Sequence, residues 1–198
     1  MHEHPPDQVD NMLPPRPTAL ARTLLAALIR SGDTVIDATA GNGHDTVFLA
    51  ECVGPSGRVL AFDIQAPAIL AARAKVQAAG LAGRVEFHHT SHARMAEYAA
   101  AGTIAAVMFN LGYLPGEDHD LTTETATTLA AIAAAGSLLQ AGGALSVVCY
   151  PGHPGGAEEA TAVESWLAQQ TTSGWRVAKY AMLGTRRPAP YLLVARQA

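Results

Sequence analysis

The sequence predicts an α/β protein with a mostly parallel seven-stranded sheet and helices on both faces of that sheet. Three observations lead to this fold class. Short apolar runs alternate with helical patterns through the first five strands. The last two strands are joined only by residues 184–189, too few for a crossover helix, so the closing strand must run antiparallel. The segment after the first strand, Gly41-Asn42-Gly43, has glycines like those of strand–loop–helix nucleotide sites.

Periodicity and turn residues predict the elements in order. Residues 1–17, rich in proline and polar side chains, are expected to form a flexible arm, and residues 18–198 a single domain. Thr18 is expected to be the N-cap of a first helix over 18–30. Strands are predicted at 34–38, 58–63, 84–88, 104–110, 144–150, 175–183 and 190–196. Helices are predicted between them at 45–53, 66–79, 92–101, 122–141 and 157–171.

Composition narrows the classes of function. The 198 residues, 49% of them apolar, suffice for one buried core. There is neither a membrane-length apolar run nor a signal-like start, so a cytoplasmic protein with no membrane partner is expected. The net charge of −4 argues against a protein that grips long nucleic acid by its phosphates. No metal site is predicted, because the loop histidines His92, His119 and His153 are not i, i+4 neighbours of one another and the chain has no cysteine pair of metal-binding spacing.

The glycine loop distinguishes two nucleotide-type ligands. A dinucleotide fingerprint G-x-G-x-x-G would have a third glycine where this chain has Thr46. Asp45 lies at the expected start of the next helix, where a carboxylate would repel a pyrophosphate. S-adenosylmethionine (SAM) carries no phosphate, and its ammonium and sulfonium groups are cationic. The acidic loop, which begins at Asp37, therefore favours SAM over NAD.

The second strand ends in another acid, in the run R-V-L-A-F-D-I. Asp63 lies 22 positions after Gly41, and a carboxylate there can accept both ribose hydroxyls of an adenosine. Dinucleotide sites share this acid, and an acid at a helix N-terminus is an equally open interpretation. Asp63 thus supports an adenosine ligand without identifying it.

The fourth strand leads into I-A-A-V-M-F-N-L-G-Y-L-P and carries Asn110 to the carboxyl edge of the sheet. Methyltransferases that act on amino groups have a related Asn/Asp-Pro-Pro-Tyr sequence, whose Asn oxygen accepts a hydrogen bond from the target amine. The run from Asn110 to Tyr113 resembles that sequence without its prolines. The alternative is an ordinary strand end, with Tyr113 as a packing residue.

Four longer stretches resemble one family: V-I-D-A-T-A-G-N-G-H-D-T, A-F-D-I-Q, M-F-N-L-G-Y-L-P-G and Y-P-G-H-P-G-G. They resemble small class I SAM-dependent enzymes described as rRNA methylases, a family that includes the tRNA 5-aminomethyl-2-thiouridine methyltransferase. The similarity extends over about 32–194. It implies a Rossmann-like class I methyltransferase sheet, SAM as methyl donor, and the tRNA anticodon stem-loop as partner, methylated at the wobble position.

The resemblance and the loop positions together imply two sets of site residues. Donor contacts are expected from Asp37, Thr39, Gly41, Asn42, Gly43, Asp45, Thr46, Asp63, Gln65, Ser91, His92 and Asn110. Substrate contacts are expected from Leu111, Gly112, Tyr113, Pro115, Gly116, His119, Tyr150, His153, Arg186 and Arg187. The candidate catalytic residues are Asn110, Tyr113 and His153.

Methyl transfer to an amine requires a neutral, aligned acceptor. Asn110 could orient the amine, and His119 or His153 could take its proton, although each is equally a loop hydrogen-bonding residue. Arg186 and Arg187 form a local cluster for RNA phosphates or are simply solvated. Methylation of rRNA, methylation of a small amine, and a catalytically silent SAM-binding module stay open as alternatives. The oligomeric state is also open, with a homodimer as one candidate.

Overall fold

The computed structural model describes residues 14–112 and 125–197. Its helices are α1 (Pro17–Ala26), α2 (His44–Cys52), α3 (Ala66–Ala78), α4 (Thr125–Leu138) and α5 (Gly156–Gln170). Its strands are β1 (Thr34–Asp37), β2 (Arg58–Asp63), β3 (Val85–His89), β4 (Ile104–Leu111), β5 (Leu139–Cys149), β6 (Trp175–Ala181) and β7 (Tyr191–Gln197). No helix within these described ranges has the length and apolar character needed to cross a membrane.

The strands form one seven-stranded sheet in the order β3-β2-β1-β4-β5-β7-β6. Neighbours among the first five strands are parallel, whereas β7 is antiparallel to both β5 and β6. The predicted fold class is therefore confirmed. Parallel pairing places the carboxyl ends of β1 to β5 along one edge of the sheet, here called the carboxyl edge. Since β6 has the same direction as β5, the β6–β7 connection lies at the carboxyl edge too.

Apolar side chains fill the space on both faces of the sheet. Consecutive residues of a strand point to opposite faces, so Val35 and Ile36 of β1 belong to different core clusters. The Ile36 cluster is covered by α4 and α5, and the Val35 cluster by α1 and α2. The first six residues of β4 are all buried, as expected for a central strand covered on both sides. This strand is the rigid support of the carboxyl edge.

The start of the domain differs from the prediction. The N-cap of α1 is Arg16 rather than Thr18, because Pro17 has a fixed φ suited to the first helical position. The helix also ends at Ala26, four residues before the predicted end. In addition, the Tyr180 hydroxyl donates a hydrogen bond of 2.8 Å to the Pro15 carbonyl. The last residues assigned to the flexible arm therefore pack on the domain.

Two internal boundaries also differ from the prediction. The helix expected at 92–101 is a short 3-10 segment, His92–Glu97. The strand expected from 144 begins at Leu139, directly after α4, so the prediction of helix up to 141 was wrong. Gly142 has φ +73°, and a Cβ on Gly143 would lie 2.9 Å from the Gln140 carbonyl oxygen. These glycines permit an irregular start of β5, which periodicity alone does not reveal. The predicted start of α4, residue 122, lies outside the described residues, and the remaining boundaries agree within two residues.

Candidate active site

The loop between β1 and α2 is held against α3. Gly41 and Gly43 both have positive φ, 49° and 78°, which non-glycine residues rarely adopt. A Cβ on Gly43 would lie only 2.7 Å from the Ala72 Cα, so this position also needs glycine for close packing. The backbone amide of Gly43 donates to the Ala40 carbonyl at 2.8 Å. The loop is thus a tight turn at the carboxyl edge, and Asn42 is exposed in it.

Asp37, the last residue of β1, stabilises this loop through hydrogen bonds. It is fully buried; its Oδ2 accepts a 2.6 Å hydrogen bond from the Thr46 hydroxyl, and its Oδ1 accepts one of 3.2 Å from the Thr39 amide. Burial raises the pKa of Asp37 to about 7, against the lowering effect of the Thr46 bond and with a further contribution from the Asp45 charge. Asp37 therefore supports the loop from the protein interior.

Asp63, the last residue of β2, joins the two neighbouring loops. Its Oδ2 accepts a hydrogen bond from the Gly41 amide and its Oδ1 one from the Gln65 amide, both at 2.9 Å. These bonds fix the rotation of the carboxylate. The residue is only partly buried, and each carboxylate oxygen keeps acceptor capacity. Asp63 is therefore suited to bind a diol.

His92 lies behind the loop, after β3. Its Nδ1 is 3.1 Å from the Ala38 carbonyl oxygen, so Nδ1 carries the proton and Nε2 is an acceptor. Burial lowers the pKa of His92, which keeps the ring neutral at pH 7. Nε2 is buried without a hydrogen-bond partner among the described residues. Ser91 caps the same segment by accepting the Ala93 amide at 3.2 Å.

Asn110, near the end of β4, has its amide group fixed by its neighbours. Its backbone amide donates to the Thr39 hydroxyl at 2.8 Å, and its side-chain Nδ2 donates to Asp45 Oδ2 at 2.5 Å. The other Asp45 oxygen, Oδ1, accepts a 2.6 Å bond from Arg22 Nε of α1. The Asn110 Oδ1 is a buried acceptor with no hydrogen-bond partner in the described part of the chain. The site therefore offers an oriented carbonyl oxygen.

The Tyr150 ring lies beside Gly112, which stands where the related Asn/Asp-Pro-Pro-Tyr sequence has its second proline. A Cβ on Gly112 would be 3.4 Å from the Tyr150 ring, which follows β5. Tyr150 is partly buried, and burial raises the pKa of its hydroxyl, with a further contribution from the Asp45 charge. A side chain at position 112 would therefore contact the Tyr150 ring.

The other predicted substrate contacts are distributed around the carboxyl edge. His153 lies in the loop before α5, with Nδ1 2.9 Å from the Pro154 carbonyl oxygen. Leu111 is buried in β4, whereas Arg186 and Arg187 are exposed in the β6–β7 connection. Four further predicted residues lie outside the described residues: Tyr113, Pro115, Gly116 and His119.

Sequence reasoning anticipated most of these residues but not their connections. Asp45 was assigned to the donor, yet both of its oxygens are engaged by Asn110 and Arg22. Arg22 was not among the predicted site residues. It precedes Asp45 by 23 positions, and only the packing of α1 on α2 reveals their contact. No local motif signals such a pair.

A parallel sheet closed by one antiparallel strand, with a glycine loop after β1 and an acid ending β2, defines a class I SAM-dependent methyltransferase. The family model described as "Putative rRNA methylase" matches residues 59–196, and the chain belongs to this family. The class and family expected from the motifs are thereby confirmed.

Individual relatives agree with this assignment. The tRNA (mnm5s2U34)-methyltransferase of Arabidopsis thaliana, a chloroplastic protein, is 39% identical over 186 residues, which cover 89% of this chain and 67% of the plant protein. The crystal structure of a putative rRNA methylase from Clostridium thermocellum has a TM-score of 0.91 and 35% identity, covering 94% of this chain and all (100%) of that one. A putative methyltransferase from Streptococcus mutans, in complex with SAH, has a TM-score of 0.85 and 31% identity, with the same coverages of 94% and 100%.

Proposed function

We propose that this methyltransferase transfers the methyl group of SAM to the 5-aminomethyl group of a 2-thiouridine at the tRNA wobble position. The observation that carries the proposal is the buried, unpartnered Oδ1 of Asn110 within the described site. An oriented acceptor beside the donor loop fits an amine, which needs its N–H bonded and its lone pair free. The plant relative, 39% identical, is named for a reaction at this wobble uridine.

The carboxyl edge has the polar groups that SAM requires. Asp63 would accept the ribose hydroxyls, since its carboxylate is already fixed by the Gly41 and Gln65 amides. The glycine turn lets the backbone approach the ligand closely, and the Asp45 carboxylate in the first turn of α2 disfavours a pyrophosphate at this helix end. When bound, SAM supplies an electrophilic methyl group.

The acceptor amine would be positioned by Asn110 and Tyr150. The Asn110 Oδ1 accepts one amine N–H, which directs the nitrogen lone pair away from that bond. The Tyr150 ring, packed against Gly112, forms one wall of the amine pocket. A primary alkylamine must also lose a proton before it reacts, and burial beside a cation favours that loss. His153 and His119 are the candidate proton acceptors.

Binding of the RNA would involve the β6–β7 connection. Arg186 and Arg187 are exposed at the carboxyl edge, where they can reach the phosphates of a stem-loop. A local cluster suffices for a small RNA element, despite the net charge of −4. We also propose that the protein acts in the cytoplasm as a single-domain chain that forms a homodimer. The plant relative is chloroplastic.

Nucleoside mass spectrometry of tRNA tests substrate and reaction together. A strain lacking the gene should accumulate 5-aminomethyl-2-thiouridine and lose the methylated nucleoside, and a plasmid copy of the gene should reverse both changes. An unchanged tRNA profile with a missing methyl group in rRNA would support the rRNA alternative. Purified protein that binds SAM but methylates neither RNA nor a free amine would support the silent-module alternative.

A further inference from the structure

We propose that Asp45, held by Arg22, is a positioning residue that determines which atom of the Asn110 carboxamide faces the acceptor amine. This inference rests on the proposed function, because it concerns the orientation of the same acceptor. The structure joins the three side chains in a chain of hydrogen bonds, from Arg22 Nε to Asp45 Oδ1 and from Asn110 Nδ2 to Asp45 Oδ2.

A carboxamide has two ends of similar size and opposite hydrogen-bonding character. If the Asn110 side chain turned by 180°, its NH2 group would face the amine and would donate to the nitrogen lone pair that must attack. Asp45 discriminates between the two orientations because a carboxylate accepts hydrogen bonds and does not donate them. With Oδ1 of Asn110 placed 2.5 Å from Asp45 Oδ2, two acceptor oxygens would repel each other.

Arg22 holds the Asp45 carboxylate in the position that orients the Asn110 carboxamide. Its Nε lies 2.6 Å from Asp45 Oδ1, so the carboxylate cannot rotate its second oxygen away from Asn110 without losing a charge-assisted bond. The Asp45 side chain is 12% exposed and the Arg22 side chain 39% exposed, so the bond is partly shielded from water. The first helix, α1, therefore contributes to the reaction site through a contact that no strand supplies.

The hydrogen bonds give Asp45 and Asp63 different roles, although both acids were predicted to contact the donor. The Asp63 oxygens are bound by backbone amides and the residue is open to a ligand, whereas both Asp45 oxygens are bound by side chains of the protein. Removal of Asp63 should therefore weaken donor binding. Removal of Asp45 should instead slow the reaction at saturating donor.

An exchange of the two side chains tests the orientation directly. In Asn110→Asp alone, two carboxylates face each other, and kcat for tRNA methylation should fall by about 100-fold or more. In the double variant Asp45→Asn with Asn110→Asp, the new amide donates to the new carboxylate and leaves an acceptor oxygen at position 110. The double variant should recover at least about 10-fold over Asn110→Asp. Recovery no greater than twofold, in a folded double variant, would overturn the proposal.

Asp45→Ala separates positioning from donor binding. Its kcat should fall by about 10- to 100-fold while its Kd for SAH, measured by calorimetry, stays within about threefold. A Kd weakened in parallel with kcat would make Asp45 a donor ligand and overturn the proposal. The wild-type enzyme is assayed first on tRNA that lacks the modification. If the wild-type enzyme does not methylate this tRNA, the proposed substrate is refuted. If the wild type is active but the variants do not show the predicted changes in kcat, the positioning role is refuted.

Arg22 has a matched control elsewhere on the surface. Arg22→Ala should lower kcat, and Arg22→Lys should restore part of it by again donating to Asp45. Arg94→Ala removes an exposed ion pair of the same 2.6 Å length, with Glu97, and should leave kcat unchanged. If Arg22→Ala and Arg94→Ala lower kcat equally, Arg22 has a purely structural role. The same conclusion follows if Arg22→Ala lowers the thermal midpoint as Arg94→Ala does and leaves kcat at the wild-type value.

Discussion

The carboxyl group of Asp37 is buried in the protein interior, at the end of β1, instead of in the ligand space. Its two hydrogen bonds, to Thr46 and to the Thr39 amide, do not offset the loss of water, so burial raises its pKa to about 7 from the usual 3.8. A carboxyl group with this pKa changes charge near neutral pH. The free energy of unfolding should therefore depend on pH.

The Asp37 carboxyl should make the protein less stable as the pH rises. Because the folded state holds this proton more tightly than the unfolded state, its contribution is complete below about pH 4 and is lost as the pH rises through about 7. Asp37→Asn removes the dependence. Urea denaturation at pH 5 and pH 8 should show the wild type losing about 2 kcal/mol relative to the variant. An equal stability difference at both pH values would contradict this expectation.

Asp63 should be a direct determinant of donor affinity. Asp63→Ala removes the acceptor of the Gly41 and Gln65 amides and the proposed ribose contact, so the Kd for SAH should weaken by about 10- to 100-fold in calorimetry. Asp33→Ala is the control, since the hydrogen bond that its carboxylate accepts within the described residues comes from the exposed Arg30 amide. A wild-type-like Kd in Asp63→Ala would exclude this residue from the donor site.

At the scale of single residues, the sequence predicted which side chains gather at the site better than what each one does. Asp63 and Asn110 were recognisable because an acid or amide directly ends an apolar strand. The role of Asp45 was not recognisable, since its partners, Arg22 and Asn110, come from distant parts of the chain. Hydrogen-bond partners of that kind depend on helix packing, which carries no local signal.

At the scale of elements, the junction between the β1–α2 loop and α3 depends on Gly43. Gly43→Ala should destabilise the protein by more than 2 kcal/mol, on the order of the combined costs of positive φ and a collision with the Ala72 backbone. Gly80→Ala is the matched control, because Gly80 has φ +72° but open space around its Cβ position. Its cost should be about 1 kcal/mol. Equal losses in urea denaturation would show that packing against α3 is unimportant.

Most elements were predictable because their patterns are strong and local. Buried strands such as β4 have continuous apolar sequences, and the glycine loop indicates where α2 begins. The junction of α4 and β5 was not predictable, because alanine, leucine and glycine near Leu139 fit a helix end and an irregular strand equally well. Pairing with β4, whose register shifts between Ile104 and Ala106, determines the outcome.

At the scale of the whole molecule, the arginines of the β6–β7 connection should contribute to RNA binding and not to donor binding. Arg186→Ala with Arg187→Ala should weaken tRNA binding and reduce the slope of log K against log salt by up to about 2, because two phosphate contacts are lost. The Kd for SAH should not change. Arg58→Ala with Arg176→Ala removes the same charge at the opposite edge of the sheet, where β2 and β6 begin. Equal salt slopes for both double variants would contradict a specific role of the connection.

The position of β7 has an evolutionary consequence. Because this strand returns between β5 and β6, the turn that precedes it lies at the carboxyl edge but shares no residue with the glycine loop or with the tips of β1 and β2. If the turn binds RNA as proposed, insertions or substitutions in it should alter the choice of RNA and leave the donor site unchanged. Lineages of such enzymes are therefore free to diversify their targets by remodelling one surface hairpin.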